Sequence, residues 1–200
     1  MTGSDDWALL RAWRGGDSAA GGILFERYAA TVIRFFRSKT DTDVDDLVQD
    51  TFFACSRGDR AIEGHRAFRS YLLGVARHKL YDSLSRRGRE PFDPMTQSAT
   101  DLGASPFSEI ARAQESQLVL RALRAVPLDF QVTLELFYWD ELSGEEIAEV
   151  TGVSPHTVRS RLARGRERLK MEIERLTRRE LRAEDLERIT RSASLELSVS

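Results

Sequence analysis

A short arginine-rich helix near the C-terminus carries the clearest chemistry in this 200-residue chain. Arginine can donate two parallel hydrogen bonds to the edge of a guanine, and it also pairs with backbone phosphates. The candidate DNA-contacting residues of this helix are Pro155, His156, Thr157, Arg159, Ser160, Arg161, Arg164 and Arg168. Their types and spacing predict a helix that enters the major groove.

The residues around this helix predict the elements that must position it. Ser143 and Glu146 have the spacing of a capping box, which starts a preceding helix. Gly152 suits the left-handed end of that helix, and Ser154 with Pro155 suits the start of the next one. The second helix has one apolar face, formed by Val158, Leu162, Gly165 and Leu169. These signals in this order favour a helix-turn-helix over an ordinary solvated arginine helix.

A longer helix, predicted over about residues 66–87, combines aromatic rings with cations. Rings can stack on bases while cations hold phosphates, so this combination suits single-stranded DNA. We expect Tyr71, Gly74, His78, Tyr81, Asp82 and Ser85 to form one outward strip, opposite an apolar face. The candidate DNA-binding residues are Tyr71, Arg77, His78, Lys79, Tyr81, Asp82, Arg86 and Arg87. A surface helix with two partly buried tyrosines is the alternative.

A third predicted helix, over about residues 43–57, is acidic on its outward side. That side presents Asp45, Asp46, Gln49, Asp50 and Phe53, while Val44, Leu47, Val48, Thr51, Phe52 and Cys55 face inward. Carboxylates beside an amide suit a basic protein partner. The pattern alone favours an ordinary amphipathic helix with a soluble acidic side.

Composition narrows the class of protein. The net charge is −2, but acidic and basic residues are segregated along the chain, which indicates surfaces with different partners. Cys55 is the only cysteine, so no intrachain disulfide is expected. No apolar run has the length of a membrane span, and no signal peptide is recognisable, so we expect a cytoplasmic protein without membrane insertion. No metal site, cofactor or small-molecule substrate is indicated.

The chain divides at a segment rich in Pro, Gly, Ser and Asp. We predict an all-α protein with two helical domains joined by a flexible linker: residues 1–87, the linker 88–108, a helix-turn-helix domain over 109–176, and a C-terminal extension over 177–200. In the extension, helical spacing continues to Ile189. Beyond Thr190, Leu195, Leu197 and Val199 alternate with polar residues as in a strand, and we expect this lone segment to lack stable structure.

Four segments resemble the extracytoplasmic-function (ECF) group of bacterial RNA polymerase sigma factors. They are LSGEEIA at 142–148, SPHTVRSRL at 154–162, DDLVQDTF at 45–52 and FRSYLLGVARH at 68–78. The chain departs from the family pattern at Tyr71, where Trp is usual, at His78, where Asn is usual, and at Gln131, where Arg is usual. The two helix-turn-helix segments alone also resemble response regulators.

The resemblance implies a set of partners and roles. Asp45, Asp46, Gln49, Asp50 and Phe53 would bind the clamp helices of the largest subunit of core RNA polymerase. The flap of the second-largest subunit would be a further contact. The candidate residues of 71–87 would bind and open the minus-ten promoter element, and those of 155–168 would read the minus-thirty-five element. An anti-sigma factor is a further partner that the family admits.

Three other interpretations stay open at this point. The chain could be a helix-turn-helix regulator that does not act as a sigma factor. It could be a sigma mimic that titrates an anti-sigma factor, although a mimic should lose its DNA-facing cations. An enzyme of unknown class is the remaining alternative.

Overall fold

The predicted all-α class is confirmed. A computed structural model describes residues 3–58, 67–87, 91–104 and 114–197, and within these ranges it contains helices and turns with one isolated bridge, between Ser98 and Pro127. The helices are α1 (Gly3–Arg14), α2 (Ser18–Arg37), α3 (Val44–Arg57), α4 (Phe68–Arg87), α5 (Gln114–Ala125), α6 (Leu128–Tyr138), α7 (Gly144–Thr151) and α8 (Pro155–Leu197). None of these helices, as far as the chain is described, is long and apolar enough to cross a membrane.

Helices α1–α4 pack around one apolar core. Its fully buried side chains include Leu10, Leu24, Val32, Phe36, Phe68, Leu72, Leu73 and Leu80. Asp17 starts α2, because its carboxylate accepts hydrogen bonds from the N–H groups of Ala19 and Ala20 at 3.0 and 3.2 Å. Gly58 ends α3 in the left-handed conformation, with φ of 75°. The polar segment after it, residues 59–66, lies outside the described residues.

Gly21 allows α1 and α2 to approach closely. A Cβ atom at this position would lie 2.5 Å from Nε1 of the Trp13 ring. The adjacent Gly22 faces open space. The glycine pair weakens the start of α2 by propensity, but Gly21 is the residue that lets the indole of Trp13 pack against the helix.

The predicted helix-turn-helix is confirmed as α7 and α8. Ser143 and Glu146 form the complete capping box, Gly152 ends α7 with φ of 70°, and the hydroxyl of Ser154 accepts from the N–H of Thr157 at 3.1 Å. On the buried face of α8, Gly165 lies against Leu134 of α6, whose nearest carbons would be 3.3 Å from an added Cβ. The start of α8 therefore packs closely against α6.

The described part of the linker, residues 91–104, contains turns and packs against the junction of α5 and α6. Its carbonyls cap α6: the N–H of Leu128 donates to Gln97 at 3.0 Å, and the N–H of Asp129 donates to Pro94 at 2.9 Å. The absence of helical periodicity predicted here agrees with the turns. The prediction of a flexible linker did not include these hydrogen bonds to the start of α6.

The two bodies, α1–α4 and α5–α8, lie in direct contact. Helix α4 packs against α7, and α5 and α6 meet the C-terminal end of α2. The prediction of two helical domains joined by a flexible linker did not include this interface.

The C-terminal extension continues α8. The prediction that the last helix extends past Leu176 is confirmed, but the expected unstructured end after Thr190 is wrong as far as Leu197. A helix that is already nucleated adds one hydrogen bond for each residue it fixes, whereas a lone strand has no partner. Val199 and Ser200 lie outside the described residues.

Gly21→Ala should destabilise the protein by about 1–3 kcal/mol, because the new methyl group must displace the Trp13 ring. Gly22→Ala is the matched control on the adjacent residue. It should leave the free energy of unfolding unchanged or raise it by up to about 1 kcal/mol, through helix propensity alone. Urea unfolding followed by circular dichroism measures both, and equal effects of the two variants would contradict the proposed role of Gly21.

Candidate nucleic-acid and polymerase interfaces

The acidic side of α3 faces solvent, as predicted. Its exposed members are Asp45, Asp46, Gln49, Asp50 and Phe53, and the ring of Phe53 is 52% exposed. Leu47, Val48 and Phe52 anchor the opposite side of the helix in the core. No ion pair joins any of the three aspartates to another described residue. Their charge is thus available to a partner.

An apolar groove of about 510 Å³ lies beside this acidic side. Its lining residues are Trp13, Phe25, Ile33, Asp45, Val48, Gln49, Phe52 and Phe53. Phe25 is 46% exposed and stacks at 4.9 Å between ring centroids on Phe52. An exposed apolar groove with an acidic rim is typical of a surface that binds another protein. The sequence signal for it was the run of Ile23, Leu24 and Phe25, since three consecutive apolar residues cannot all face one core.

The predicted outward position of Tyr71 is wrong. Its side chain is 1% exposed, its ring lies 5.7 Å from that of Trp7, and its hydroxyl accepts a hydrogen bond from Nη2 of Arg14 at 3.0 Å. Burial raises the pKa of Tyr71 above its ordinary value. Gly74 is buried as well. In this arrangement the Tyr71 ring cannot stack on a base.

The error at Tyr71 arises because α4 is buried on nearly all sides along its first half. Helices α2 and α3 cover one side and α7 covers another. The segment Tyr71–Ala76 contains no charged residue. Such a segment indicates a helix that is buried on all sides, whereas the prediction assumed a single apolar face.

The second half of α4 presents the remaining candidates. His78 is about half exposed, and its Nδ1 lies 3.2 Å from Oδ1 of Asp82. Lys79 is half-buried and Arg86 is exposed. Arg87 donates a hydrogen bond to the hydroxyl of Thr42 and pairs with Asp43. Together these groups form a mixed polar surface at the end of the helix.

Arg77 and Tyr81 turn toward the second body. Both donate to Oδ1 of Asp129 on α6, at 3.1 Å from Arg77 Nη2 and 2.8 Å from the Tyr81 hydroxyl. Arg77 also lies over the Tyr81 ring, 4.4 Å from its centroid. Burial, followed by the charge of Asp129, raises the pKa of Tyr81, and Arg77 opposes this change. These two candidates are engaged within the protein.

The start of α8 exposes most of its predicted DNA-contacting residues. The exposed ones are Pro155, His156, Arg159, Arg164 and Arg168, while Thr157 and Ser160 are half-buried. Arg161 differs, because its side chain is only 12% exposed and its Nη2 lies 2.8 Å from Oδ2 of Asp129. Five of the eight predicted residues are therefore exposed, and the role of this surface in DNA recognition stays a prediction.

Two family models match the chain: Sigma-70 region 2 over residues 24–90, and Sigma-70, region 4 over residues 116–169. The ECF RNA polymerase sigma-E factor of Haemophilus influenzae is 29% identical over 182 residues, which cover 86% of this chain and 96% of that protein. The protein of the same description from Escherichia coli K12 is 29% identical over 188 residues, with 87% and 97% covered. The chain belongs to the sigma-70 family, in its ECF group.

Two solved structures share the fold of this sigma factor. CnrH, in complex with the cytosolic domain of CnrY, has a TM-score of 0.61 and 26% identity, covering 85% of this chain and 97% of that chain. The sigma factor RpoE of Bartonella quintana, in complex with the anti-sigma factor NepR, has a TM-score of 0.54 and 23% identity, covering 75% and 96%. The second likeness concerns the fold alone.

The two family matches contain the candidate surfaces of the sigma factor. Helices α3 and α4 lie within region 2, and α6, α7 and the start of α8 lie within region 4. Asp129, at the start of α6, was not predicted from the sequence, and it is the shared partner of Arg77, Tyr81 and Arg161. Among the described residues, no group of three or more His, Cys, Asp or Glu side chains is placed to hold a metal ion.

Tyr71→Phe should lower the free energy of unfolding by about 1 kcal/mol, because it removes the hydrogen bond from Arg14 to a residue that is only 1% exposed. Tyr138→Phe is the control. It removes a similar bond, from Arg166 at 2.8 Å, but Tyr138 is 53% exposed, so its effect should stay within about 0.5 kcal/mol. Urea unfolding measures both, and equal effects would contradict a structural role for the Tyr71 hydroxyl.

Proposed function

We propose that this ECF sigma factor binds core RNA polymerase through the acidic side of α3 and directs it to promoters through α4 and α8. The observation that carries the proposal is the presence of two unlike surfaces in one chain. Asp46 and Asp50 are exposed and form no ion pair among the described residues, while Arg159 and Arg164 are exposed on the second helix of a helix-turn-helix.

The acidic side of α3 suits the basic clamp helices of the largest polymerase subunit. Carboxylates form short charge-assisted hydrogen bonds with arginine and lysine, and Gln49 adds an amide between them. The apolar groove beside them, with Phe25 and Phe53 at its edge, adds buried area to such an interface. Region 4 would contact the flap of the second-largest subunit, and an anti-sigma factor would compete for these surfaces.

DNA contacts divide between the two bodies. The start of α8 would read the minus-thirty-five element, with Arg159 at the base edges and Arg164 and Arg168 at phosphates. The exposed half of α4, with His78, Lys79 and Arg86, would contact the minus-ten element, and Arg77 and Tyr81 would join it once released from Asp129.

The covalent chemistry of transcription belongs to the polymerase in this proposal, and the sigma factor contributes binding and orientation. We assign the protein to the cytoplasm, where the polymerase acts on the chromosome. The alternative of a regulator that shares only the helix-turn-helix does not account for the match of region 2, which contains the acidic side of α3.

Replacing Asp46 and Asp50 together by Lys should abolish association with core polymerase and leave helicity unchanged, because both side chains are exposed. The control is Glu167→Lys with Glu174→Lys, both on α8. It changes the charge equally at two exposed residues away from α3 and should bind core normally. Gel filtration with purified core measures association, and normal binding by the Asp46/Asp50 variant would refute docking through α3.

Arg159→Ala should relax base preference in the minus-thirty-five element, because a bidentate arginine–guanine contact provides roughly 1–3 kcal/mol of discrimination. Arg164→Ala and Arg168→Ala should weaken binding to all sequences alike and reduce the salt slope by about 1 each. Holoenzyme binding to a set of single-base promoter variants at several salt concentrations measures both. An equal loss of affinity in all three, with preference intact, would rule out base reading by Arg159.

A further inference from the structure

The interface between the two bodies combines an apolar core that both share with buried charge. Three acidic residues of the second body are buried: Asp129 is 3% exposed, Glu135 is 2% exposed and Asp140 is 4% exposed. Each accepts hydrogen bonds from residues of the first body. Arg77 and Tyr81 meet Asp129, Lys39 meets Glu135, and Arg34 and Arg69 meet Asp140 at 2.6 and 2.5 Å. The charged groups regain water when the bodies separate, which offsets part of the cost of opening this interface.

Asp129 differs from the other two carboxylates because both of its oxygens are held by candidate DNA-binding residues. Oδ1 accepts from Arg77 and Tyr81 of α4, and Oδ2 pairs with Arg161 of α8 at 2.8 Å. A single carboxylate thus joins the region 2 surface to the recognition helix of region 4. The partners belong to the two helices that would bind different promoter elements.

The two arginines retain donors that Asp129 does not satisfy. Arg77 Nε and Arg161 Nη1 are buried and have no hydrogen-bond partner among the described residues. An arginine fork matches a phosphate as well as it matches a carboxylate, and a phosphate offers more acceptor oxygens. This donor set therefore suits an anion with more oxygens than the one it holds.

We propose that Asp129 stands in for a DNA phosphate in the free sigma factor and holds region 4 against region 2 in a closed, DNA-excluding state. The inference rests on the proposed function, because it takes α4 and α8 as DNA-binding helices. Arg77, Tyr81 and Arg161 cannot stay on one carboxylate while their helices bind separate DNA elements. The closed state must open before both helices engage a promoter.

A closed state of this kind lowers the apparent affinity of the free protein for DNA by the fraction of molecules that are open. Removing one latching carboxylate should raise that fraction. Asp129→Asn removes the charge that joins α4 to α8 and keeps the side-chain volume. Asp140→Asn breaks the contacts with Arg34 and Arg69, which are not candidate DNA-binding residues, and so tests the closed state independently.

The experiment uses the full-length free chain, without polymerase. Small-angle X-ray scattering measures its compactness, and fluorescence anisotropy measures its affinity for a fluorescein-labelled 30-base-pair duplex of random sequence at fixed salt. Glu172→Gln is the matched control. It removes the same charge from an ion pair with Arg175 that lies within α8. Circular dichroism reports folding of each variant.

Both Asp129→Asn and Asp140→Asn should expand the protein and raise its affinity for the duplex roughly tenfold or more, while Glu172→Gln changes neither. Unchanged scattering in both variants would overturn the latch, and expansion without tighter DNA binding would overturn its inhibitory role. If Asp129→Asn fails to fold, Asp140→Asn decides alone. Association of the unaltered chain with core polymerase, measured separately, tests the proposed function and leaves the scattering result standing.

Discussion

Arg124 of α5 is fully buried, and its guanidinium donates to acceptors that belong to the other body. The relative placement of the two bodies depends on these hydrogen bonds. The guanidinium donates to the carbonyl oxygens of Arg37 at 2.5 Å and Ser38 at 3.2 Å, and it pairs with Asp41 at 2.9 Å. These carbonyls end α2, where the helix dipole is negative and the last C=O groups need donors. One side chain of α5 thus completes the end of a helix in the other body. Asp41 of that body carries the negative charge that pairs with it.

A buried ion pair lies at the same end of α2. Lys39, which follows α2, pairs there with Glu135 of α6. Burial lowers the pKa of Lys39, and the neighbouring carboxylate of Glu135 opposes this effect. The ammonium also donates to the carbonyl of Phe35 at 2.8 Å and lies 3.8 Å from the centroid of its ring. A buried ion with this many partners tolerates little displacement, so the register of α6 against α2 is fixed more tightly than apolar packing alone would fix it.

The local parts of the fold could be predicted from the sequence because their causes are local. Ser143, Glu146 and Gly152 lie within ten residues of one another, and each satisfies or ends a helix through its own side chain or its own φ. The exposure of Asp46 and Asp50 followed from helical periodicity in the same way. The interface between the two bodies could not be predicted in this way, because Arg124 and Asp41 are 83 residues apart and no periodic pattern relates them. Tyr71 was misplaced for a different reason: the uncharged run Tyr71–Ala76 indicates a helix buried on all sides, not one with a single apolar face, and Trp7 and Arg14 of α1 cover the Tyr71 ring.

Gln131 departs from the family pattern and lies in the interface between the two bodies. The family pattern has arginine at this position, whereas here a neutral amide, itself fully buried, donates to the Ser38 carbonyl at 2.9 Å and to Glu135 at 2.8 Å. An arginine would neutralise Glu135 from within α6, at a spacing of four residues, and would place a second cation beside Lys39. With glutamine, the carboxylate of Glu135 still needs a cation, and the cation comes from the other body. The departure from the family pattern therefore ties charge neutrality in region 4 to contact with region 2.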